Sequence, residues 1–203
     1  MMNKIKKSNI VYLFALLALS FSYPTSYVEA QSSESSKKQI KYKKARALQT
    51  KTAKKMAKVY EAFEVVDEKG EPAPDTATAI EILTELRNDQ DNLKSYDRSV
   101  MWNAWGYIYF SDGNYDQAMN AYEKVINEEE VTLPIRNAAI FTLAQLNLVQ
   151  ENYKKGIELI LEWMDQVEEV TAQAWSLLGQ AYFQQGSFRK SMSSMKTAIS
   201  LAE

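Results

Sequence analysis

The sequence predicts an all-α chain, a solenoid of antiparallel helix pairs preceded by a long basic helix, and three observations carry that expectation. In 203 residues there are only 6 Gly and 4 Pro, too few to punctuate the turns of a β-sandwich or barrel. Apolar residues recur at spacings of three and four, the period of one helix face. From Ser99 onward the chain reproduces its own pattern of aromatic and small residues, the mark of stacked supersecondary units. The length suits one sizeable structured region with tails rather than two full domains.

Residues 1–30 have the layout of a secretory signal peptide. Lys4, Lys6 and Lys7 open it, Ile10 to Phe21 form an apolar run, and Val28-Glu29-Ala30 offers a cleavage site before Gln31. That run falls short of the roughly 20 residues a spanning helix needs. The rest of the chain is therefore expected in the periplasm, with no membrane span in the mature protein. Residues 31–38 are Ser-rich and read as a disordered lead-in.

Ala45, Leu48, Thr52, Met56, Val59, Phe63 and Val66 align on one face and predict a helix over 39–67. A Gly-Glu-Pro-Ala-Pro-Asp stretch at 70–75 ends it, and Ile80, Leu83 and Leu86 predict an antiparallel partner, so 39–98 reads as a helix pair. This region splits the charge. Ten basic residues and no acidic one lie between Lys37 and Lys58, among them Lys43, Lys44, Arg46, Lys51, Lys54, Lys55 and Lys58. From Val59 to Glu203 there are 11 basic residues against 24 acidic, a net of −13 hidden in a total of −2. Such an arm suits a solvated helix face, a contact with the acidic body, or an anionic partner. Export and the scarcity of interleaved aromatics argue against nucleic acid. The repeats that follow are expected to keep their own core without the arm.

Three units then follow, over 99–136, 137–171 and 172–203. In the first, Trp102, Trp105-Gly106, Tyr109, Gly113, Tyr115, Ala118, Tyr122 and Val125 hold fixed offsets. The third repeats them as Trp175, Leu178-Gly179, Tyr182, Gly186, Phe188, Ser191, Met195 and Ala198. The middle unit diverges to Ile140, Leu143-Ala144, Asn147, Glu151, Tyr153, Gly156, Ile160 and Trp163. The pattern resembles the tetratricopeptide repeat, whose two helices per unit stack into a solenoid that mediates protein–protein contacts. On that resemblance the aromatic positions are core.

The stretches Trp105-Gly106-Tyr107-Ile108-Tyr109-Phe110, Leu143-Ala144-Gln145-Leu146, Tyr153-Lys154-Lys155-Gly156-Ile157 and Leu178-Gly179-Gln180-Ala181-Tyr182 are also similar to a narrower family. These are the tetratricopeptide proteins described as components of TonB systems in Gram-negative bacteria. The resemblance implies a periplasmic accessory of a complex that draws on the inner-membrane proton gradient to drive outer-membrane transport, with TonB motor components as partners. Members of that family run longer at the C-terminus, which implies a shortened member or a fragment.

Catalysis is not expected. The chain has no Cys and no His, which removes the usual nucleophile–base pairs, thiol redox motifs and most zinc sites, and no Gly-rich phosphate loop stands in for them. No cofactor or metal is expected: Asp112, Asn114, Asp116 and Glu123 mimic calcium-loop offsets, but Gln117 stands where that loop needs Gly. The candidate site is instead a protein-binding groove lined by the first helices, namely Asn103, Tyr107, Phe110, Phe141, Gln145, Leu148, Ser176, Gln180 and Phe183. With no Lys or Arg among them, they suit an extended peptide or a partner helix rather than a carboxylate clamp. In the last helix Met192, Met195 and Ile199 are expected to lie bare, a patch for self-association or a partner. Two function classes follow: an adaptor in an envelope transport complex, and a structural scaffold for envelope or cell-wall assembly.

Overall fold

The computed structural model describes residues 46–202. The signal segment, the lead-in, and Lys43 and Lys44 lie outside the described residues. Among the described residues the eight α-helices are α1 (Thr50–Phe63), α2 (Thr76–Asn88), α3 (Ser95–Ser111), α4 (Tyr115–Asn127), α5 (Leu133–Val149), α6 (Tyr153–Gln166), α7 (Ala172–Gln184) and α8 (Phe188–Ser200). Consecutive helices pack as pairs, α1 on α2, α3 on α4, α5 on α6 and α7 on α8. The second helix of one pair touches the first helix of the next, and α3 also touches α5, so the pairs stack as a solenoid.

Three of the four intra-pair turns share one device. The backbone N–H of Asn114, Asn152 and Ser187 donates to the carbonyl of Tyr109, Asn147 and Tyr182 respectively, each at 2.8 Å. The residue before each donor then takes a left-handed conformation, the Schellman ending of a helix. Gly113 and Gly186 accept that geometry freely, at φ 73° and 82°, whereas Glu151 adopts it at φ 62° with a side chain. Asn114 closes the turn by accepting from the Gln117 N–H, which caps α4.

Close approach within a pair is set by small residues. A Cβ on Gly106 would stand 2.8 Å from the Tyr122 ring, and one on Gly179 would stand 2.9 Å from Cγ of Met195. In the middle pair the close contact has moved to the other helix, where a Cβ on Gly156 would collide with the Leu148 side chain. The core runs without interruption from Met56, Val59 and Leu83 through Trp105, Ile108 and Ile140 to Leu146, Ile160 and Leu178.

The helix expected over 39–67 is shorter at both described ends. Residues 46–49 are not helical, and α1 begins only at Thr50. Tertiary hydrogen bonds outweigh the helix propensity of the lysine-rich run: Asp97, fully buried on α3, accepts the Gln49 N–H at 3.1 Å, and the Lys94 N–H donates to Gln49 Oε1 at 3.3 Å. At the other end α1 gives way to a small hairpin, with an antiparallel bridge between Val66 and Pro72 and a turn in which Asp67 Oδ1 accepts from Lys69 and Glu71.

The basic arm, without which the repeats are expected to keep their own core, is itself packed into the body at its C-terminal end. Thr52, Met56, Val59 and Ala62 of α1 are buried, and Met56 and Val59 belong to the common core. The lower half of the basic stretch is thus part of the folded body.

Candidate functional site

The nine groove candidates separate into two sets. Phe110, Leu148 and Phe183 each stand three residues before a tight turn, so their side chains meet the opening turns of their own second helix. Phe110 lies 6.1 Å from the Tyr115 ring, Phe183 lies 5.5 Å from Phe188, and Leu148 fills the space above Gly156. Phe141 likewise turns to its own pair, 4.6 Å from Trp163. These four close their own helix pairs, and only Phe183 among them is left largely exposed.

The other five lie along the first helices. Tyr107 of α3 meets Phe63 of α1 edge to face at 5.0 Å, tying the first helices of adjacent pairs. Asn103 is half-buried, Gln145 is buried, and Ser176 is half-buried and accepts from the exposed Gln180 amide at 3.4 Å. The accessible part of this face is therefore amide and hydroxyl, set between aromatic rings that are already packed. Asn147 stands where the other pairs carry Tyr109 and Tyr182, and it is satisfied internally by donating to the Leu143 carbonyl at 2.8 Å.

The described basic residues are mostly engaged by the acidic body. Arg46 pairs with Glu130, Lys51 with Asp89 at 2.9 Å, and Lys55 with Glu85 at 2.7 Å. The Lys55 hydrogen bond is the main reason the Glu85 carboxyl is held below its ordinary range. Asp89 is held down first by the Asn92 amide and then by Lys51. Lys54 and Lys58 are exposed. Beside Arg46, Arg98 grips Glu128 with two parallel bonds of 2.8 Å and also donates to the Leu93 carbonyl at 2.7 Å. This fork anchors the loop after α4 to the start of α3, and the Glu128 hydrogen bond raises the Arg98 pKa.

The last helix corrects one further expectation. Met192 and Ile199 are exposed, but Met195 is not bare, because its thioether packs where Gly179 leaves room. It plays the part that Tyr122 plays over Gly106.

Among the described residues no helix is long and apolar enough to cross a membrane. A comparison with curated proteins found no match. The family model described as Tetratricopeptide repeat matches residues 99–131 and 172–203, which are the α3–α4 and α7–α8 regions. The pair between them, α5–α6, has the same turn, the same helix order and a relocated small residue. Its divergent sequence keeps the packing that the matched pairs have. With this stacking, the described chain is an all-α solenoid of helix pairs, two of which match the tetratricopeptide repeat, a unit that in many proteins mediates protein–protein contacts.

Proposed function

We infer that this chain is a non-catalytic adaptor that holds other proteins on the first-helix face of its repeats, works in the periplasm of a Gram-negative bacterium, and serves a TonB-type energy-transduction system for outer-membrane transport. The observation that carries the holding role is the division of the groove candidates. Packing consumes most of the aromatic groups, while Asn103, Ser176 and Gln180 keep polar atoms along one face of a preformed solenoid. Amides on a rigid surface can satisfy the main chain of an extended peptide or the flank of a partner helix.

Export is supported by the three-part segment over 1–30, and the TonB assignment by the resemblance centred on Trp105-Gly106-Tyr107 and Leu178-Gly179-Gln180. Fractionation with N-terminal sequencing should find a mature chain that begins at Gln31 in the periplasm. Co-purification from envelope fractions should then recover TonB motor proteins. Recovery of cell-wall synthases or outer-membrane assembly factors in their place would turn the assignment toward a structural scaffold. Unprocessed soluble protein that starts at Met1 would defeat the export reading.

A further inference from the structure

The two ends of the solenoid are complementary in shape class and in charge. At one end, α1 and α2 leave a groove of about 550 Å³ between them, floored by Ala62, Val65 and Ile82 and flanked by Glu61, Glu81 and Glu85. Lys55 and Lys58 also reach it, but Lys55 is already paired with Glu85, and the rim stays acidic on balance. Helical spacing puts Glu81 and Glu85 on the opposite side of α2 from buried Leu83, whose carbonyl accepts from Trp105 of α3, with Ile82 partly buried between the two sides. The acidic rim on α2 therefore faces away from the next pair. Between Glu61 and Glu85 the chain carries eight acidic residues and one basic, Lys69.

At the other end, α8 turns Ser191, Ser194 and Ala198 into the body and leaves an apolar stripe outside. Phe188, Met192 and Ile199 fall within one narrow arc of the helix and are 62%, 57% and 62% exposed. Arg189 and Lys196 border that arc on one side, and from Ala172 to Glu203 there are three basic residues against one acidic, Glu203. An apolar stripe with a basic rim thus faces outward at one end, and an apolar-floored groove with an acidic rim at the other.

The geometry points to head-to-tail association of two copies of this chain, with the α8 stripe of one seated in the α1–α2 groove of the other. The occupant is a second copy because each end supplies what the other lacks. Ridge meets groove and basic rim meets acidic rim, whereas two α8 faces brought together would oppose their own cations. The contact repeats the stacking inside the chain, where α4 is covered by α5 and α6 by α7. An interface between unlike faces does not close on itself after two copies, so the expected product is a series of sizes rather than a discrete dimer.

Sedimentation equilibrium of the purified chain tests this. The weight-average mass should climb past that of a dimer with concentration, and added salt should oppose the climb. Two variants separate the ends: Met192→Ser with Ile199→Ser removes the stripe, and Glu61→Lys with Glu81→Lys reverses the groove rim. All four positions are exposed, so each variant should keep the parent far-UV spectrum and melting temperature. Each alone should associate at least about tenfold more weakly, the scale of two lost apolar side chains or two reversed rim charges. Mixed in equal amounts, the stripe variant retains a good groove and the groove variant a good stripe, so they are expected to form a one-to-one dimer and nothing larger. A parent chain that stays monomeric at every concentration would overturn the inference. So would a groove variant that still dimerises alone, which is the mark of a symmetric contact between two α8 faces.

Discussion

Gly106 and Gly179 occupy the same repeat position but face different neighbours, and replacing each by alanine separates two kinds of close packing. At Gly106 the new Cβ would lie 2.8, 2.9 and 3.0 Å from three atoms of the Tyr122 ring. That ring is 7% exposed and wedged between α3 and α4. Ordinary carbon contacts sit near 3.5–4.0 Å, so the ring or the helix must retreat by roughly 0.7 Å. Overpacking of this kind costs about 1–3 kcal/mol, and the better helix propensity of alanine returns about 0.5–1 kcal/mol. The net expectation for Gly106→Ala is a loss of about 1 kcal/mol and at most about 2.5 kcal/mol, a drop of a few degrees in Tm for a chain of this size. At Gly179 the Cβ would meet Cγ, Sδ and Cε of Met195 at 2.9–3.1 Å, and a partly exposed thioether can swing aside. Gly179→Ala is therefore expected to be neutral or slightly stabilising. Urea unfolding followed by far-UV circular dichroism measures both. A Gly106→Ala chain as stable as its parent, or a Gly179→Ala chain that suffers equally, would refute the reasoning.

Three further outcomes are expected. Glu151→Gly should stabilise by roughly 0.5 kcal/mol in the same unfolding assay, because relief of about 1 kcal/mol of left-handed strain exceeds the added unfolded-state entropy; a loss would show that the Glu151 side chain makes a stabilising contact of its own. Glu85 and Asp89 are both held below the ordinary carboxyl values of 4.5 and 3.8, so their contribution to stability is present above those values and fades as pH falls through the depressed ones. Carboxyl NMR titration should show Lys55→Met restoring the Glu85 midpoint toward its ordinary value, and an unchanged midpoint would contradict the Lys55 hydrogen bond as the main cause. Deletion of residues 31–58 should destabilise the whole chain, since it removes Met56, which is fully buried and worth about 1.5–3 kcal/mol, together with buried Thr52 and most of the helix that presents Val59 to the core; a deleted chain with unaltered urea midpoint would show the opposite.

Much of the fold was legible because its signals are periodic and local. Trp102, Trp105-Gly106, Tyr109 and Gly113 recur as Trp175, Leu178-Gly179, Tyr182 and Gly186, and packing demands those sizes at those offsets. The Met195 role was within reach of the same comparison, for it stands at the offset of Tyr122 opposite the matching glycine. Reading it as bare treated the end of the stack as if only the next unit could cover it, whereas its own pair covers it first. The start of α1 was not legible. Helix propensity over 39–50 is high throughout, and what ends the helix is Asp97, more than forty residues away in sequence, accepting from Gln49. The ion pairs of Arg46, Lys51 and Lys55 with Glu130, Asp89 and Glu85 were equally long-range, so charge counting could say only that an arm and a body of opposite sign exist. For the groove candidates, repeat spacing placed all nine on first helices, where they lie, but could not tell that residues three before each turn lean into their own pair.

The most direct test of the adaptor account is site-specific photocrosslinking in intact cells, with the photoreactive residue placed in turn at Gln180 and Asn103 on the first-helix face and at Lys154 on the second helix of the middle pair. The account predicts discrete protein adducts from Gln180 and Asn103 and none of comparable yield from Lys154. Adducts that arise equally from Lys154, or only from it, would contradict the claim that the first-helix face is where this solenoid holds its partners.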